Sequence, residues 1–241
     1  GYLTLRVNSL VSTNEGGTRT AAPEDYAPRT LHVEIVDQSG KVVKSTDDFA
    51  NDKNFQGNIK MKVGTYTIVA HSANWDGNGS GFDTPYYYGS TTVKVLSQSL
   101  VTASVTCTQA NVKLTVNYDD VFASSFKSAV TTVTSAVSGI DPLQFVMNET
   151  TRSGYIPVGN FDAKLDVVNY SEVSNTLTRK FENVKAREHY ILNFKLAQDG
   201  YLGDGTGAGV KVEVDESTNT YTYTFEVPRK SAISLVTRAA N

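Results

Sequence analysis

The chain has 241 residues, 39% of them hydrophobic and 20% charged, with a net charge of -3. That is enough apolar material for one large or two ordinary buried cores, and it excludes a disordered chain. The acidic balance and the lack of a basic cluster argue against a nucleic-acid partner, because phosphate binding needs clustered Lys and Arg. One cysteine rules out an intrachain disulfide, and no apolar stretch approaches the ~18 residues of a membrane span.

In chain order, period-two alternation recurs almost everywhere. Leu3, Leu5 and Val7 share a face, then Val33 and Ile35, then Ile59, Met61 and Val63, then Tyr66, Ile68 and Ala70. Val101, Ala103, Val105 and Cys107 follow, which makes Cys107 a small buried hydrophobe rather than a nucleophile. Asp120–Val130 is the one segment with helical spacing, with Val121, Phe122 and Phe126 turned inward. Strand patterns also occur at Val112–Tyr118, ahead of that segment, and after it at Leu143–Met147, Tyr190–Leu196, Val210–Val214 and Tyr221–Val227. Turn residues such as Gln38-Ser39-Gly40 and Gln198-Asp199-Gly200 punctuate them.

About fourteen strands with almost no helix predict an all-β chain of antiparallel sandwiches, and the count is that of two sandwiches in tandem. The boundary falls near Thr108, giving an N-terminal domain over 1–108 and a C-terminal domain over 109–241.

Between two strands lies Asn74-Trp75-Asp76-Gly77-Asn78-Gly79-Ser80-Gly81-Phe82-Asp83-Thr84-Pro85-Tyr86-Tyr87-Tyr88. Asp76, Asn78 and Ser80, followed by Gly81, have the spacing of the first half of a calcium loop, and Asp83 adds a carboxylate. With Asp76 as position one, position twelve is Tyr87, where a calcium loop places its bidentate glutamate. Trp75, Phe82, Tyr86, Tyr87 and Tyr88 form a second candidate, an aromatic platform for a carbohydrate or a protein, since sugars stack on such rings. The third reading is a long hairpin connection in which Gly and Asn supply the turn, and Tyr86 and Tyr88 share one strand face.

No catalytic pattern emerges. His32, His71 and His189 have no spaced partner, and no zinc motif, nucleophile elbow or phosphate loop occurs. Gly200–Gly209 is glycine-rich but joins two strands, so it has no helix N-terminus to bind an anion. A carboxylate pair on a sandwich, as in a glycoside hydrolase, is a matter of spatial separation rather than of sequence spacing.

Several segments line up in order: Gly1-Tyr2-Leu3-Thr4-Leu5, Gly17-Thr18-Arg19-Thr20, Leu31–Val43, Met61–Ala70, Pro85–Ser90 and Val105–Val116. With them the chain resembles a family of Bacteroidetes surface lipoproteins related to the fimbrillins, the subunits of type-five pili. The resemblance implies a non-enzymatic adhesion protein at the cell surface, anchored in the precursor by a lipidated cysteine ahead of Gly1. It implies other pilin-like subunits, or surface ligands including glycans, as partners. It also implies cleavage by an arginine-specific protease, for which Arg19 is the candidate position, and exchange of the first strand for one donated by another subunit. The tail Ser231–Arg238 has some strand character of the kind a donor needs. A carbohydrate-binding lipoprotein of a polysaccharide-uptake system is the alternative reading.

Overall fold

The computed structural model describes residues 1–9, 30–73, 79–197, 209–215 and 219–227. Among the described residues strand is the dominant element, with one short helix, and the chain divides into two compact units. The first comprises Gly1–Gly77 with Pro85–Asn111, the second Asn78–Thr84 with Val112–Asn241.

In the first unit β1 (Tyr2–Ser9), β2 (Leu31–Asp37), β3 (Val42–Thr46), β4 (Ile59–Lys60), β5 (Gly64–Ser72), β7 (Tyr87–Val95) and β8 (Leu100–Gln109) form a sheet ordered β3-β2-β5-β7-β8-β1-β4. The β7–β8 ladder has only two pairs, Tyr87↔Gln109 and Tyr88↔Thr108. The sheet turns over at this short seam. Val33, Ile35, Ile68 and Ala70 from one half and Leu3, Leu5, Val105 and Cys107 from the other then share one core. Each contributes alternate residues, as the pleat requires.

Local chemistry explains the turns. Asp37 accepts hydrogen bonds from the Ser39 and Lys41 backbone N–H groups, and Gly40 sits at φ +82 in the β2–β3 turn. These contacts hold the Asp37 carboxyl below its usual range, the Ser39 hydroxyl bond being the largest influence. The turn is the one expected from Gln38-Ser39-Gly40.

The second unit is a sandwich of two sheets. One contains β11 (Leu143–Val146), β10 (Phe126–Ser135), β13 (Phe161–Asn169) and β14 (Ser174–Phe181), in that order. The other is ordered β16-β17-β15-β9-β12-β6, from β16 (Gly209–Asp215), β17 (Thr220–Val227), β15 (His189–Leu196), β9 (Val112–Tyr118), β12 (Gly154–Ile156) and β6 (Gly81–Phe82). Leu114, Val116, Leu192 and Phe225 on one sheet and Phe126, Val133, Leu165 and Phe181 on the other meet in a single core. Aromatic packing is dense there: Phe161 stacks on Phe181 at 4.5 Å, and Tyr190 meets both rings edge-on.

Three pairings run parallel: β1 with β8, β9 with β15, and β15 with β17. Parallel neighbours need long crossovers, so these strands meet only through tertiary packing.

Two local expectations are corrected. The helix α1 spans Asp120–Ser125 only, and β10 takes over at Phe126. Phe122 and Phe126 are buried as expected, but Val121 is exposed. Asp119 caps the helix by accepting from the Phe122 N–H at 2.7 Å, and Val121 projects about 100° around the helix from Phe122, so the face that buries Phe122 leaves Val121 in solvent. Val63, expected inside beside Ile59 and Met61, is 60% exposed, because β4 ends at Lys60 and the chain turns into β5 at Gly64.

Candidate functional site

The first strand and its slot form the most distinctive site. β1 lies between β8 and β4. It pairs in parallel with β8 over eight residues, from Tyr2↔Leu100 to Ser9↔Cys107, but with β4 only through Tyr2↔Lys60 and Leu3↔Ile59. Beyond Leu3, no strand among the described residues pairs with its outer edge. Leu3 and Leu5 are buried and Val7 packs partly against the same core, while Arg6 and Asn8 are exposed. This strand thus has one full ladder, one mostly open edge and two anchoring leucines. Burial of two such side chains is worth about 1.5–3 kcal/mol each.

The floor of the slot is apolar. Ala103, Val105 and Cys107 of β8 are buried beside β1. Cys107 Sγ lies 3.5 Å from the Ala70 carbonyl oxygen, and burial pushes its thiol up to about 11. A nucleophilic cysteine needs the opposite shift.

Arg19, which follows β1 in sequence, lies outside the described residues, as do Trp75, Asp76 and Asn78 and the tail Ser231–Arg238. The described part of the glycine segment is divided between the units. In the second unit, β6 pairs with β12 through Gly81↔Tyr155 and Phe82↔Gly154. The Phe82 ring meets Phe145 edge-on at 5.1 Å, and the Arg152 guanidinium carbon lies 3.5 Å from its centroid. That ring is therefore taken up by protein on two sides. Ser80 is half-buried, and Asp83 is exposed with φ +55, its N–H donating to the Ser153 carbonyl.

In the first unit the three tyrosines diverge. Tyr86 is half-buried, its carbonyl accepting from Ala110 N–H at 2.7 Å. Tyr87 points into the core, its N–H donating to Ser72 Oγ, and burial raises its phenol. Tyr88 is 38% exposed on the opposite face of β7. Among the described residues, no three His, Cys, Asp or Glu side chains gather as metal ligands would.

The histidines occupy separate settings. His32 stacks on His71 at 4.7 Å across β2 and β5, with Asp47 2.7 Å from its Nδ1. His189 Nε2 lies 2.9 Å from Thr115 Oγ1, and burial, with Lys113 nearby, lowers its pKa to about 4.

A cleft of about 180 Å³ in the second unit went unread in the sequence. Its floor includes Val116, Phe145 and Met147, and Asp120, Glu149 and Arg152 stand on its rim. It is assembled from two separated segments, 116–123 and 145–152, so no local pattern announces it.

Among solved structures the chain is similar to a candidate polysaccharide-binding protein of Bacteroides thetaiotaomicron, with 10% identity, 83% of this chain and 93% of that one covered and a TM-score of 0.48. It is similar to a fimbrial assembly protein of Parabacteroides distasonis (12% identity, 72% and 86% covered, TM-score 0.46). A third similar structure is the fimbrial anchor protein Mfa2 of Porphyromonas gingivalis (13% identity, 76% and 83% covered, TM-score 0.43). No curated protein matches the sequence. Residues 1–229 match the profile of the family described as Domain of unknown function (DUF4493), and the chain belongs to that family.

Proposed function

We propose that this protein is a non-enzymatic adhesion component of a bacterial cell surface, a fimbrillin-like subunit or a tip or anchor part that assembles by strand donation. One observation carries the reading: β1 fills a slot beside β8 in parallel, anchored by Leu3 and Leu5, with most of its other edge open. Removing it would expose the β8 edge and an apolar groove, which an alternating strand of another subunit can fill. The ordered sequence resemblance to surface lipoproteins supports the same reading, and Arg19 stands between β1 and β2 where cleavage would free the strand.

The test is digestion of the secreted protein with an arginine-specific protease, followed by electrophoresis without boiling. Cleavage after Arg19 with an SDS-resistant ladder supports strand exchange. Complete cleavage that leaves only monomer refutes it. Failure of the intact protein to bind host or bacterial surfaces would refute the adhesion role separately.

A further inference from the structure

Exposed large apolar side chains are normally scattered. In the first unit four of them gather at one end: Tyr2 is 46% exposed, Val63 60%, Leu96 50% and Leu100 60%. Backbone pairing puts them together. Tyr2 lies opposite Leu100 on β8 and Lys60 on β4, and its N–H donates to the Ser99 carbonyl at 2.7 Å. Ser99 Oγ donates to the Leu96 carbonyl at 2.9 Å, which closes the β7–β8 turn. Met61 N–H donates to the Gly1 carbonyl, and Gly64 lies opposite Val95, which brings the β4–β5 turn carrying Val63 to the same end. Gly1 sits so close to the β7–β8 turn that a Cβ there would lie 2.2 Å from the Leu96 carbonyl oxygen.

Among the described residues, charge at this end has one dominant sign. Lys60, Lys62 and Lys94 are exposed on the same strand ends, and Lys41 lies in the β2–β3 turn next to them. Among the described residues Lys60, Lys62 and Lys94 form no ion pair. Among the described residues Asp37 is the acidic residue of this end, and it accepts hydrogen bonds from Ser39 and Lys41 within its own turn. Apolar tips surrounded by lysines suit an interface that is hydrocarbon within and anionic at its rim. The tips enter the acyl boundary, and the lysine stems extend to bring their ammonium groups to the phosphates.

We propose that this end of the first unit, centred on Tyr2, Val63, Leu96 and Leu100 and ringed by Lys60, Lys62 and Lys94, docks on an anionic lipid surface. The docking is a property of the folded chain and does not depend on strand exchange. Charge complementarity selects a membrane over a second copy of the chain, because two copies meeting through this end would bring six lysines together.

The experiment is co-sedimentation of the chain with vesicles of phosphatidylglycerol mixed with phosphatidylcholine, and with phosphatidylcholine alone. The expected result is binding to the anionic vesicles that weakens with salt and is largely lost in Leu96→Ser/Leu100→Ser. Lys60→Gln and Lys62→Gln each weaken the partition about fivefold. All four positions are exposed, and circular dichroism verifies the fold of each variant. No binding of the intact chain to anionic vesicles overturns the proposal. Equal binding to neutral vesicles, or binding unchanged in the leucine and lysine variants, overturns it too. A dimer in sedimentation velocity that dissociates in Leu96→Ser/Leu100→Ser assigns the patch to a second copy and likewise overturns it.

Discussion

Leu5 of β1 lies directly beside Ala103 of β8, with the two strands running in the same direction. The first strand of the chain thus joins a strand about a hundred positions later, and the intervening chain must close before that pairing can form. Such long-range closure slows folding, because its entropy must be lost before the contacts form.

Its anchoring can be measured. Leu3 is fully buried in the first core. Leu3→Ala is expected to cost about 2–5 kcal/mol, through lost burial and the cavity left behind. Arg6→Ala, on the exposed face of the same strand, should stay within about 0.5 kcal/mol. Urea denaturation followed by circular dichroism separates the two, and equal costs would mean that β1 is not anchored by its leucines.

Gly89 of β7 lies close against the β8 backbone. A Cβ there would lie 2.3 Å from the Thr106 carbonyl oxygen and 2.8 Å from its carbon, both backbone atoms. Gly89→Ala must therefore move a strand at the short seam on which the sheet turns over. A loss of about 1–3 kcal/mol is expected. An unchanged denaturation midpoint would show that the seam is looser than this geometry requires.

Acid should weaken the second unit through His189. Its folded pKa is about 4, against 6.5 for a free imidazole, because burial, with Lys113 beside it, disfavours the cation. Above pH about 6.5 the ring is neutral in both states and contributes no pH dependence. Between about 6.5 and 4 the unfolded chain binds the proton and the folded one does not, so stability falls as pH falls. The full loss is on the order of 3 kcal/mol. His189→Gln should flatten the difference between midpoints measured at pH 7 and pH 5. A slope that survives the substitution would assign the effect to other groups.

Asp119 holds α1 at its N-terminus with one side-chain bond to Phe122 N–H. Asp119→Ala is expected to cost about 0.5–2 kcal/mol, while Asp119→Asn or Asp119→Ser should recover most of it. Equal losses in all three variants would mean that the carboxylate's charge, rather than the cap geometry, sets the stability here.

Tyr118 is the polar plug of the same region. Its hydroxyl lies 2.6 Å from Thr131 Oγ1 and donates to the Phe145 carbonyl at 2.9 Å, and burial pushes its pKa up to about 12. Tyr118→Phe leaves the buried Thr131 hydroxyl without this partner. A cost of about 1–3 kcal/mol is expected in thermal or urea unfolding, and a neutral result would show that Thr131 finds another partner.

Strand character was readable in many of the segments where one face meets the core and the other meets water. Leu3 and Leu5, Val33 and Ile35, Tyr66, Ile68 and Ala70, and Tyr190, Leu192 and Phe194 alternate in sequence and are buried in the structure. The Asp37–Lys41 turn was readable because its hydrogen bonds are local. Phe126–Ser135 was read partly as helix because Phe122 and Phe126 are spaced at one helical turn, a pattern that a cap followed by a strand reproduces over so short a stretch. Phe161–Asn169 and Ser174–Phe181 went unread, although Phe161, Ala163, Leu165 and Val167 alternate inward.

By itself the sequence determined the class of this protein: an all-β chain with a low helix content, two cores' worth of alternating strands, a buried cysteine and no local catalytic motif. Those properties follow from residue type and short-range spacing, which act within a few positions along the chain. The parallel partners of β1 and β15, the burial of Tyr87 beside exposed Tyr88, the capture of Phe82 by Arg152 and Phe145, and the gathering of Tyr2, Val63, Leu96 and Leu100 at one end were decided by tertiary structure. Each depends on segments far apart in the chain meeting in space. Strand alternation states which residues face inward, but the partner against which they pack is set by the packing of the whole core.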